Sequence, residues 1–230
     1  MTATVACALA FFLPGKLKCA VLRRWLNWDI APSARIGFSF FVNVTGVHLS
    51  EGARIGHFNV FWNLRGLELG ERSEIGQWNW ITAAAALLRR HGNGVHGRLA
   101  LGDNTSISSR HYLDCSGGIT VGSFTVVAGV RTTFLTHQID VNVASQTLLP
   151  VRVGDYCLVS SNVRVTPGSV VGDRCVLAMG AVVVGELTQP RMLYAGVPAK
   201  PVKELGDAAF FDRLNRFGGD AVWYDTEANS

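Results

Sequence analysis

The sequence lacks the features that mark several common classes of protein. Its five cysteines form no CxxC pair and are odd in number, which is typical of a protein from a reducing cytoplasm. The formal net charge is only +4, and no basic cluster is interleaved with aromatic residues, so nucleic acid is not an expected partner. The apolar stretch from Val5 to Leu13 is too short to span a bilayer, and Pro14 and Gly15 interrupt it.

Residues 1–28 are predicted to form an N-terminal helical cap. This segment has no basic start and no clear cleavage site, which argues against a signal peptide. Its apolar part is followed by four basic residues, Lys16, Lys18, Arg23 and Arg24. Because basic residues beside an apolar segment favour membrane surfaces, peripheral membrane contact stays open as an alternative to a plain cap.

Apolar residues recur every six positions in the C-terminal half of the chain. The run comprises Val153, Val159, Val165, Val171, Leu177 and Val183. A small residue usually follows each of them. A period of six differs from the 3.6 of a helix and the 2 of a simple strand, and it is typical of the hexapeptide repeat of a parallel β-helix.

The repeat continues upstream and gives seven triplets, one for each predicted coil. The triplets are Ile30, Ile36 and Val42; Leu49, Ile55 and Phe61; Leu69, Ile75 and Ile81; Leu101, Ile107 and Leu113; Val121, Val127 and Thr133; Val153, Val159 and Val165; and Val171, Leu177 and Val183. Such a pattern predicts an all-β solenoid of about seven coils over residues 29–188. Residues 189–230 are expected to form a C-terminal tail with a helix near Gly206–Phe217.

The fifth position of each hexapeptide at the start of a coil is small and is predicted to point inward. Cys157 and Cys175 hold this position in consecutive coils, and we expect them to stack as core-filling thiols rather than to form a disulfide. Asn59 and Asn79 hold another inward position and predict a hydrogen-bonded ladder, because a buried amide needs partners. His111 and Arg131 are assigned the equivalent position in the next two coils.

Two long insertions interrupt the repeat, at residues 82–98 and 137–150. Both follow the third hexapeptide of a coil, so both are expected to leave the prism at the same corner. Function often resides in loops that a rigid scaffold holds. Tolerated loop growth at a permissive corner is the alternative.

The segment from Val151 to Lys203 resembles the C-terminal signature of hexapeptide-repeat acyltransferases. The most specific motif is AGVPAK at Ala195–Lys200, after the last coil. The resemblance is strongest to sugar and exopolysaccharide O-acetyltransferases of the galactoside and maltose type. It implies a left-handed parallel β-helix and a homotrimer with active sites between subunits. It also implies acetyl-CoA as co-substrate, no metal, and a saccharide or glycan acceptor.

The same resemblance implies that His137 is the general base. In this family a histidine at the start of an extended loop deprotonates the acceptor hydroxyl, and Thr136-His137 occupies that place here. Histidine titrates near working pH and suits this task. A second group should fix its tautomer, and Asp114 and Asp140 are the candidates. Either aspartate is also a candidate for binding the acceptor.

The remaining site residues are carried over from the family's motifs. Matching GDYCLVSSN to the family's GxxxxIGSH pattern places Ser161 at the thioester carbonyl, and it makes Ser160, in place of the usual glycine, a candidate contact for coenzyme A. Ala178 and Gly180 match the small residues along which pantetheine runs, although Met179 between them is bulkier than the common alanine.

Two lysines match the basic end of the same motif. Lys200 closes AGVPAK and Lys203 follows it, and both suit the nucleotide phosphates of coenzyme A.

Other functions compete with this interpretation. N-acetylation of an amino sugar or an antibiotic uses the same fold and differs only in the site. A γ-type carbonic anhydrase needs three histidines on a metal, but only His91 and His96 are closely spaced, and both lie in the insertion. A non-catalytic scaffold is the third class. The outward aromatics Phe58, Trp62, Trp78 and Trp80 are expected either to stack on sugar rings or to line a subunit interface.

Overall fold

The computed structural model describes residues 3–91 and 94–215, and it is dominated by three mainly parallel sheets. Sheet A contains β1 (Asp29–Ile30), β4 (Val47–Leu49), β7 (Gly66–Leu69), β10 (Arg98–Leu101), β13 (Ile119–Val121), β18 (Val151–Val153), β21 (Val170–Val171) and β24 (Glu186–Leu187). Sheet B contains β2 (Arg35–Ile36), β5 (Arg54–Ile55), β8 (Glu74–Ile75), β11 (Ser106–Ile107), β14 (Val126–Val127), β19 (Leu158–Val159), β22 (Cys175–Leu177), β25 (Met192–Ala195) and β26 (Lys200–Glu204). Sheet C contains β3 (Phe40–Val42), β6 (Val60–Trp62), β9 (Trp80–Thr82), β12 (Tyr112–Asp114), β15 (Thr133–Phe134), β20 (Arg164–Val165) and β23 (Val182–Val183).

The chain visits sheets A, B and C in turn, and each strand pairs in parallel with the next strand of its own sheet, except that β25 and β26 pair antiparallel. Leu49, for example, lies beside Leu69, and Ile75 lies beside Ile107. The predicted inward positions therefore form stacked rows that share one continuous apolar core. The small residues at the fifth positions, from Ala34 to Cys175, are all fully buried in that core. Short strands with alternating burial suit a period of six, because each contributes one or two inward side chains.

Two predicted inward positions are wrong by one residue. Phe41 pairs with Phe61 and is buried, whereas the predicted Val42 aligns with the exposed Trp62. Phe134, not Thr133, aligns with Val165. The turn before Phe41 is one residue shorter than the repeat, and the turn before Phe134 is one residue longer.

The predicted ladder of inward polar side chains is present with one correction. The Asn79 backbone N–H donates to Asn59 Oδ1 at 2.9 Å, and the His111 N–H donates to Asn79 Oδ1 at 2.9 Å. Thr132, not Arg131, continues the row, and its N–H donates to His111 Nδ1 at 3.1 Å. The extra residue in this turn moves Arg131 to an exposed position. No buried arginine therefore needs an acceptor at this place.

Two helices precede the sheets. Helix α1 spans Ala3–Ala10 and α2 spans Gly15–Leu26. Helix α2 covers the first coil, where Lys18 Nζ donates to the Gly37 carbonyl at 2.8 Å and Arg23 donates to the Ile30 carbonyl at 3.0 Å. Across residues 3–91 and 94–215, no helix is long and apolar enough to cross a membrane.

Both insertions contain regular structure and both connect a strand of sheet C to the next strand of sheet A. Helix α3 (Ala85–His91) lies in the insertion at residues 82–98. The insertion at residues 137–150 is an antiparallel hairpin of β16 (His137–Asp140) and β17 (Ser145–Leu148). The two insertions thus lie at the same corner, where the chain passes from sheet C to sheet A.

The C-terminal segment leaves the repeat as a hairpin. Strand β26 runs antiparallel to β25, and a single 3₁₀ turn follows at Ala209–Asp212 with Phe211 buried. The helix predicted near Gly206–Phe217 is thus only this turn within the described residues, and its last positions lie outside them.

The stacked cysteines are buried free thiols. The neighbouring Cys175 thiol and burial both raise the pKa of Cys157, which keeps its thiol protonated inside the core.

Candidate active site

A histidine and a buried aspartate meet at the corner that carries the two insertions. Asp114 ends strand β12, and His137 begins the hairpin that follows β15, the next strand of sheet C. His137 Nδ1 lies 2.6 Å from Asp114 Oδ2. The His137 side chain is 35% exposed and that of Asp114 is 3% exposed, so the pair has one open end.

The Asp114 carboxylate is surrounded by donors. Its Oδ1 accepts the Ser116 hydroxyl at 2.5 Å and the Ser116 N–H at 3.2 Å, and its Oδ2 accepts the Thr136 N–H at 3.0 Å. Burial alone would raise the pKa of Asp114, but the hydrogen bonds from Ser116, Thr136 and His137 together hold this pKa below its usual value. Asp114 is therefore ionised at neutral pH.

An ionised carboxylate can only accept hydrogen bonds, so the proton between the two residues must sit on His137 Nδ1. The other ring nitrogen, Nε2, is then unprotonated in the neutral imidazole. No residue of 3–91 or 94–215 makes a hydrogen bond to Nε2. The arrangement can take up a proton at Nε2 while Asp114 stabilises the resulting imidazolium.

The two insertions are anchored to the residues around this pair. The Ser116 hydroxyl, which donates to Asp114, accepts the N–H of Ala84, just before α3, at 2.8 Å. The Thr136 carbonyl accepts the Leu149 N–H at 2.8 Å and so closes the base of the hairpin. The insertions thereby fix the backbone on both sides of Asp114 and His137.

Asp140, the other candidate to orient His137, lies at the far end of strand β16. Its Oδ1 accepts the Asn142 N–H at 2.9 Å, within the hairpin turn. The carboxylate that contacts His137 is therefore that of Asp114. With both oxygens occupied, Asp114 also has little capacity left for a ligand.

The other predicted site residues gather at a different corner, between sheets B and C. Ser160 and Ser161 follow β19, and Ala178 and Gly180 follow β22, one coil further on. The Gly180 N–H donates to the Ser161 carbonyl at 3.1 Å, which fixes the two turns in register. The structure thus brings these four residues together along one edge.

Ser161 has a hydroxyl proton that is free to donate. Its Oγ accepts the Val130 N–H at 3.2 Å, and no acceptor for its own O–H is found in the described part of the chain. The Ser160 carbonyl accepts the Thr132 hydroxyl of the polar ladder at 2.9 Å.

The two lysines stand on the terminal hairpin next to this edge. Lys200 pairs with Ala195 and Lys203 pairs with Leu193, and both lysines are exposed. The Ala178 N–H donates to the Tyr194 carbonyl at 2.8 Å, which joins the hairpin to the same edge.

Within one chain, His137 and Ser161 lie at opposite edges of sheet C, since the strands end at one edge and begin at the other. His137 follows strand β15, whereas Ser161 precedes β20, the neighbouring strand of the same sheet. The width of the sheet therefore separates the histidine corner from the serine corner.

Between these two corners, the first strands of sheet C carry aromatic side chains on the outer face of the sheet. Phe40, Val60, Trp80 and Tyr112 align across four strands, and the three aromatic members are exposed. Phe58 and Trp78 stack at 4.5 Å at the adjoining corner between sheets B and C. No group of three or more His, Cys, Asp or Glu side chains in the described ranges is arranged to hold a metal ion.

The comparisons with known proteins give the fold. No family model matches the chain. A galactoside O-acetyltransferase from Escherichia coli K12 is 31% identical over 58 residues, which are 25% of this chain and 28% of that protein. The match therefore spans less than a third of this curated relative.

Solved structures match over more of the chain. The polysialic acid O-acetyltransferase OatWY aligns with a TM-score of 0.51 and 14% identity, over 77% of this chain and 84% of that one. A variant of AntD, an N-acyltransferase from Bacillus cereus bound to dTDP-4-amino-4,6-dideoxyglucose and coenzyme A, aligns with a TM-score of 0.53 and 15% identity, over 76% and 83%. The resemblance to hexapeptide-repeat acyltransferases is confirmed, and at these identities the structural likeness establishes the fold.

Sequence reasoning missed Ser116 and Thr136, whose hydrogen bonds support Asp114. The only available signal is that Ser116 stands two residues after Asp114 and that Thr136 directly precedes His137. Short hydroxyl side chains commonly bond to nearby backbone, so this spacing alone does not single them out.

Proposed function

We propose that this protein is an acetyl-CoA-dependent O-acetyltransferase that acts on a saccharide hydroxyl. Its scaffold is a left-handed parallel β-helix of about seven coils, which the in-register pairing across three sheets supports. The observation that carries the proposal is the buried, ionised Asp114 that holds His137 Nδ1 at 2.6 Å and leaves Nε2 open.

His137 is the general base. Its Nε2 takes the proton from the acceptor hydroxyl while the hydroxyl oxygen forms a bond to the acyl carbon. The C–S bond of the thioester then breaks, and the proton on Nε2 passes to the departing sulfur. The acyl group goes directly to the acceptor, so no cysteine nucleophile is needed. This agrees with the complete burial of Cys115, the cysteine nearest to the pair, and with the strongly raised pKa that burial gives its thiol.

Ser161 donates a hydrogen bond to the carbonyl oxygen as it becomes negatively charged. This role is supported by the free hydroxyl proton of Ser161 and by the small residues beside it. Preorganised donors of this kind stabilise the transition state of acyl transfer.

The edge between sheets B and C fits coenzyme A. Ala178 and Gly180 leave the backbone accessible, and a Cβ atom placed at Gly180 would meet no other atom within 4 Å. Lys200 and Lys203 supply positive charge for phosphates at the end of the same edge. Acetyl-CoA supplies the activated acetyl thioester when bound.

A homotrimer would complete the site. Because one chain holds His137 and Ser161 at opposite ends of sheet C, two copies are needed to bring the histidine corner of one against the serine corner of the next. The exposed aromatic residues of sheet C suit such an interface. Asp140, on the open hairpin, is then available to the acceptor.

The acceptor is proposed to be a saccharide, in surface polysaccharide or glycan synthesis. The curated relative is named for O-acetylation of galactosides, and OatWY is named for O-acetylation of polysialic acid. AntD is an N-acyltransferase whose structure holds an amino sugar nucleotide, so amino sugars are also acceptors to be tested.

The test is a coenzyme A release assay with acetyl-CoA and a panel of sugars, amino sugars and glycan fragments. His48 provides a matched control, because its Nδ1 lies 2.7 Å from Asp29 Oδ2 but both side chains are exposed on sheet A. We expect acceptor-dependent release that His137→Ala lowers by at least about 100-fold and that His48→Ala leaves unchanged. Full activity in His137→Ala would refute the proposed base, and no release with any acceptor would refute the proposed activity.

A further inference from the structure

The N-terminal cap exposes a mixed apolar and basic surface that the proposed reaction does not use. We call this the cap surface and define it by Phe12, Lys16, Leu17, Arg24 and Trp25. Phe12 is 82% exposed, Leu17 51% and Trp25 48%. Lys16 and Arg24 are exposed beside them. Three large apolar side chains at one end of a small protein call for an explanation beyond the scattered apolar residues of an ordinary surface.

The cap surface is the outer side of helix α2, extended by Phe12 from the preceding turn, which lines a groove with helix α1 and Phe40 of sheet C. The opposite side of α2 buries Lys18, Cys19 and Leu22. Positions 16, 17 and 24 fall on one side of a helix of 3.6 residues per turn, and Trp25 lies at the margin of that side. The helix therefore separates two functions, since one side closes the first coil and the other faces outward.

The two phenylalanines before α2 are divided in the same way. The Phe11 ring stacks on Phe40 at 4.8 Å and so joins the protein, whereas Phe12 extends into solvent. The four basic residues are also divided. Lys18 and Arg23 bond to carbonyls of the first coil, while Lys16 and Arg24 point away from it.

The charge on the cap surface is uncompensated. Residues 1–28 contain four basic residues and no aspartate or glutamate. Neither Lys16 nor Arg24 has a carboxylate partner in the part of the chain that the structure describes. The surface therefore favours an anionic partner.

We propose that the cap surface docks on an anionic lipid bilayer. An outward helix side with Lys and Arg next to Trp, Phe and Leu is suited to the interface, where apolar groups enter the acyl boundary and basic groups meet anionic headgroups. Helix α2 lies at the first coil, whereas Asp114 and His137 lie several strands further along sheet C. Docking at this end leaves the histidine corner open to an acceptor.

A second copy of the chain fits this surface less well. In a symmetric contact the same patch would face itself, which would bring Lys16 and Arg24 close to their own copies with like charges. The three apolar side chains are also few for a stable interface, which typically buries about 800 Å² on each partner.

Sedimentation with lipid vesicles tests the proposal on the full chain. Vesicles of neutral phosphatidylcholine are compared with vesicles that contain about a third phosphatidylglycerol. We expect the protein to sediment with the anionic vesicles and salt to weaken this binding. In Lys16→Glu/Arg24→Glu we expect the affinity for these vesicles to fall by about 10-fold or more. We expect a similar loss in Leu17→Ser/Trp25→Ser, because the apolar anchor is removed.

Arg89→Glu/Arg90→Glu is the matched control, because these exposed arginines on helix α3 give the same change in net charge at a different place. It should retain binding. The proposal is overturned if the wild type does not sediment with anionic vesicles, or if the control loses binding as strongly as the cap variants. It is also overturned if the cap variants change the molar mass in solution, since the surface would then join copies of the chain. Coenzyme A release by the soluble enzyme is measured separately, so failure of membrane binding leaves the proposed reaction standing.

Discussion

His137 Nδ1 lies 2.6 Å from Asp114 Oδ2, and this contact joins a partly exposed ring to an enclosed carboxylate. The exposed pair of His48 and Asp29 has nearly the same distance, 2.7 Å, but both side chains are in solvent. Surface ion pairs contribute little, and His48 Nε2 is itself occupied by the Ser50 hydroxyl at 3.2 Å, so the shared distance does not imply a shared role. What distinguishes His137 is the set of donors that fixes its partner.

Asp114→Asn should lower kcat strongly. An asparagine can turn its amide N–H toward His137 Nδ1, which would favour the tautomer with the proton on Nε2 and remove the base. We expect a fall of about 100-fold or more, with little change in the KM for acetyl-CoA. Steady-state kinetics with the best acceptor measure both values. An unchanged kcat would show that Asp114 does not set the tautomer.

The pH dependence of stability should reveal the ionised Asp114. The pKa of Asp114 in the folded protein is lowered below its unfolded value of about 3.9, so its contribution to stability is present above that value and is lost as pH falls through the folded pKa. The stability difference between the wild type and Asp114→Asn should therefore be largest near neutral pH and shrink below about pH 4. Thermal unfolding from about pH 2 to pH 7 measures it, because this range extends well below the unfolded pKa of Asp114. A difference that stays constant over this range would contradict the assignment.

Thr136→Val should impair the reaction through Asp114 rather than through direct contact with a ligand. The Thr136 hydroxyl donates to the Asp114 carbonyl at 2.6 Å and accepts the Gly117 N–H at 2.7 Å, so its loss loosens the backbone that presents the carboxylate. We expect kcat to fall by about 10-fold and the acid limb of the pH–rate profile to shift. Thr136→Ser keeps the hydroxyl and should restore both. Equal losses in the serine and valine variants would point to packing of the methyl group instead.

The fold could be predicted further than the site because the core follows one sequence period. Val153 to Val183 fix the rows of two coils without ambiguity, and the parallel pairing extends these rows upstream. The errors at Val42 and Thr133 arise where an apolar or β-branched neighbour stands beside the true inward residue, Phe41 or Phe134. When a turn gains or loses one residue, either of the two neighbouring residues still fits the inward position, so the sequence does not show the shift.

The site depends on contacts between coils that the sequence separates widely. Asp114 and His137 are 23 residues apart, and their meeting follows from the shared corner. The choice between Asp114 and Asp140 needed the geometry of the hairpin, because Asp140 is nearer to His137 in sequence but lies at the far end of its strand. The hydrogen bonds that Ser116 donates to Asp114 could not be predicted, because the Ser116 hydroxyl is oriented by the backbone N–H of Ala84, in a different coil.

Ser161→Ala should lower kcat with coenzyme A binding preserved. The lost hydroxyl is proposed to stabilise charge on the carbonyl oxygen, and removing one donor of this kind typically costs about 100-fold or more in kcat. Ser123→Ala is the matched control, because the Ser123 hydroxyl also accepts a backbone N–H, that of Asp103 at 3.1 Å, but lies at the corner between sheets A and B. Coenzyme A affinity is measured by titration calorimetry. Equal activity in the two variants would remove Ser161 from the proposed site.

Asn79→Leu should destabilise the protein without a direct effect on the site. Asn79 is fully buried, and its Oδ1 accepts the His111 N–H at 2.9 Å while its Nδ2 donates to the Ser108 carbonyl at 2.9 Å. Leucine has a similar volume but leaves these two backbone groups without a partner in the core. Each buried unsatisfied group costs about 1–3 kcal/mol, so we expect a loss of about 2 kcal/mol or more in the free energy of unfolding.

Urea unfolding followed by circular dichroism measures this loss, and Gln77→Leu serves as the control. Gln77 stands two residues before Asn79 in the same turn, but its side chain is exposed. Water satisfies an exposed amide, so the control should lose much less stability. Burial lowers the pKa of His111 to about 4, so the imidazole stays neutral and the ladder keeps its pattern of donors and acceptors over the whole neutral range. The loss in Asn79→Leu should therefore be the same at pH 6 and pH 8, and a strong dependence on pH between these values would contradict a neutral His111.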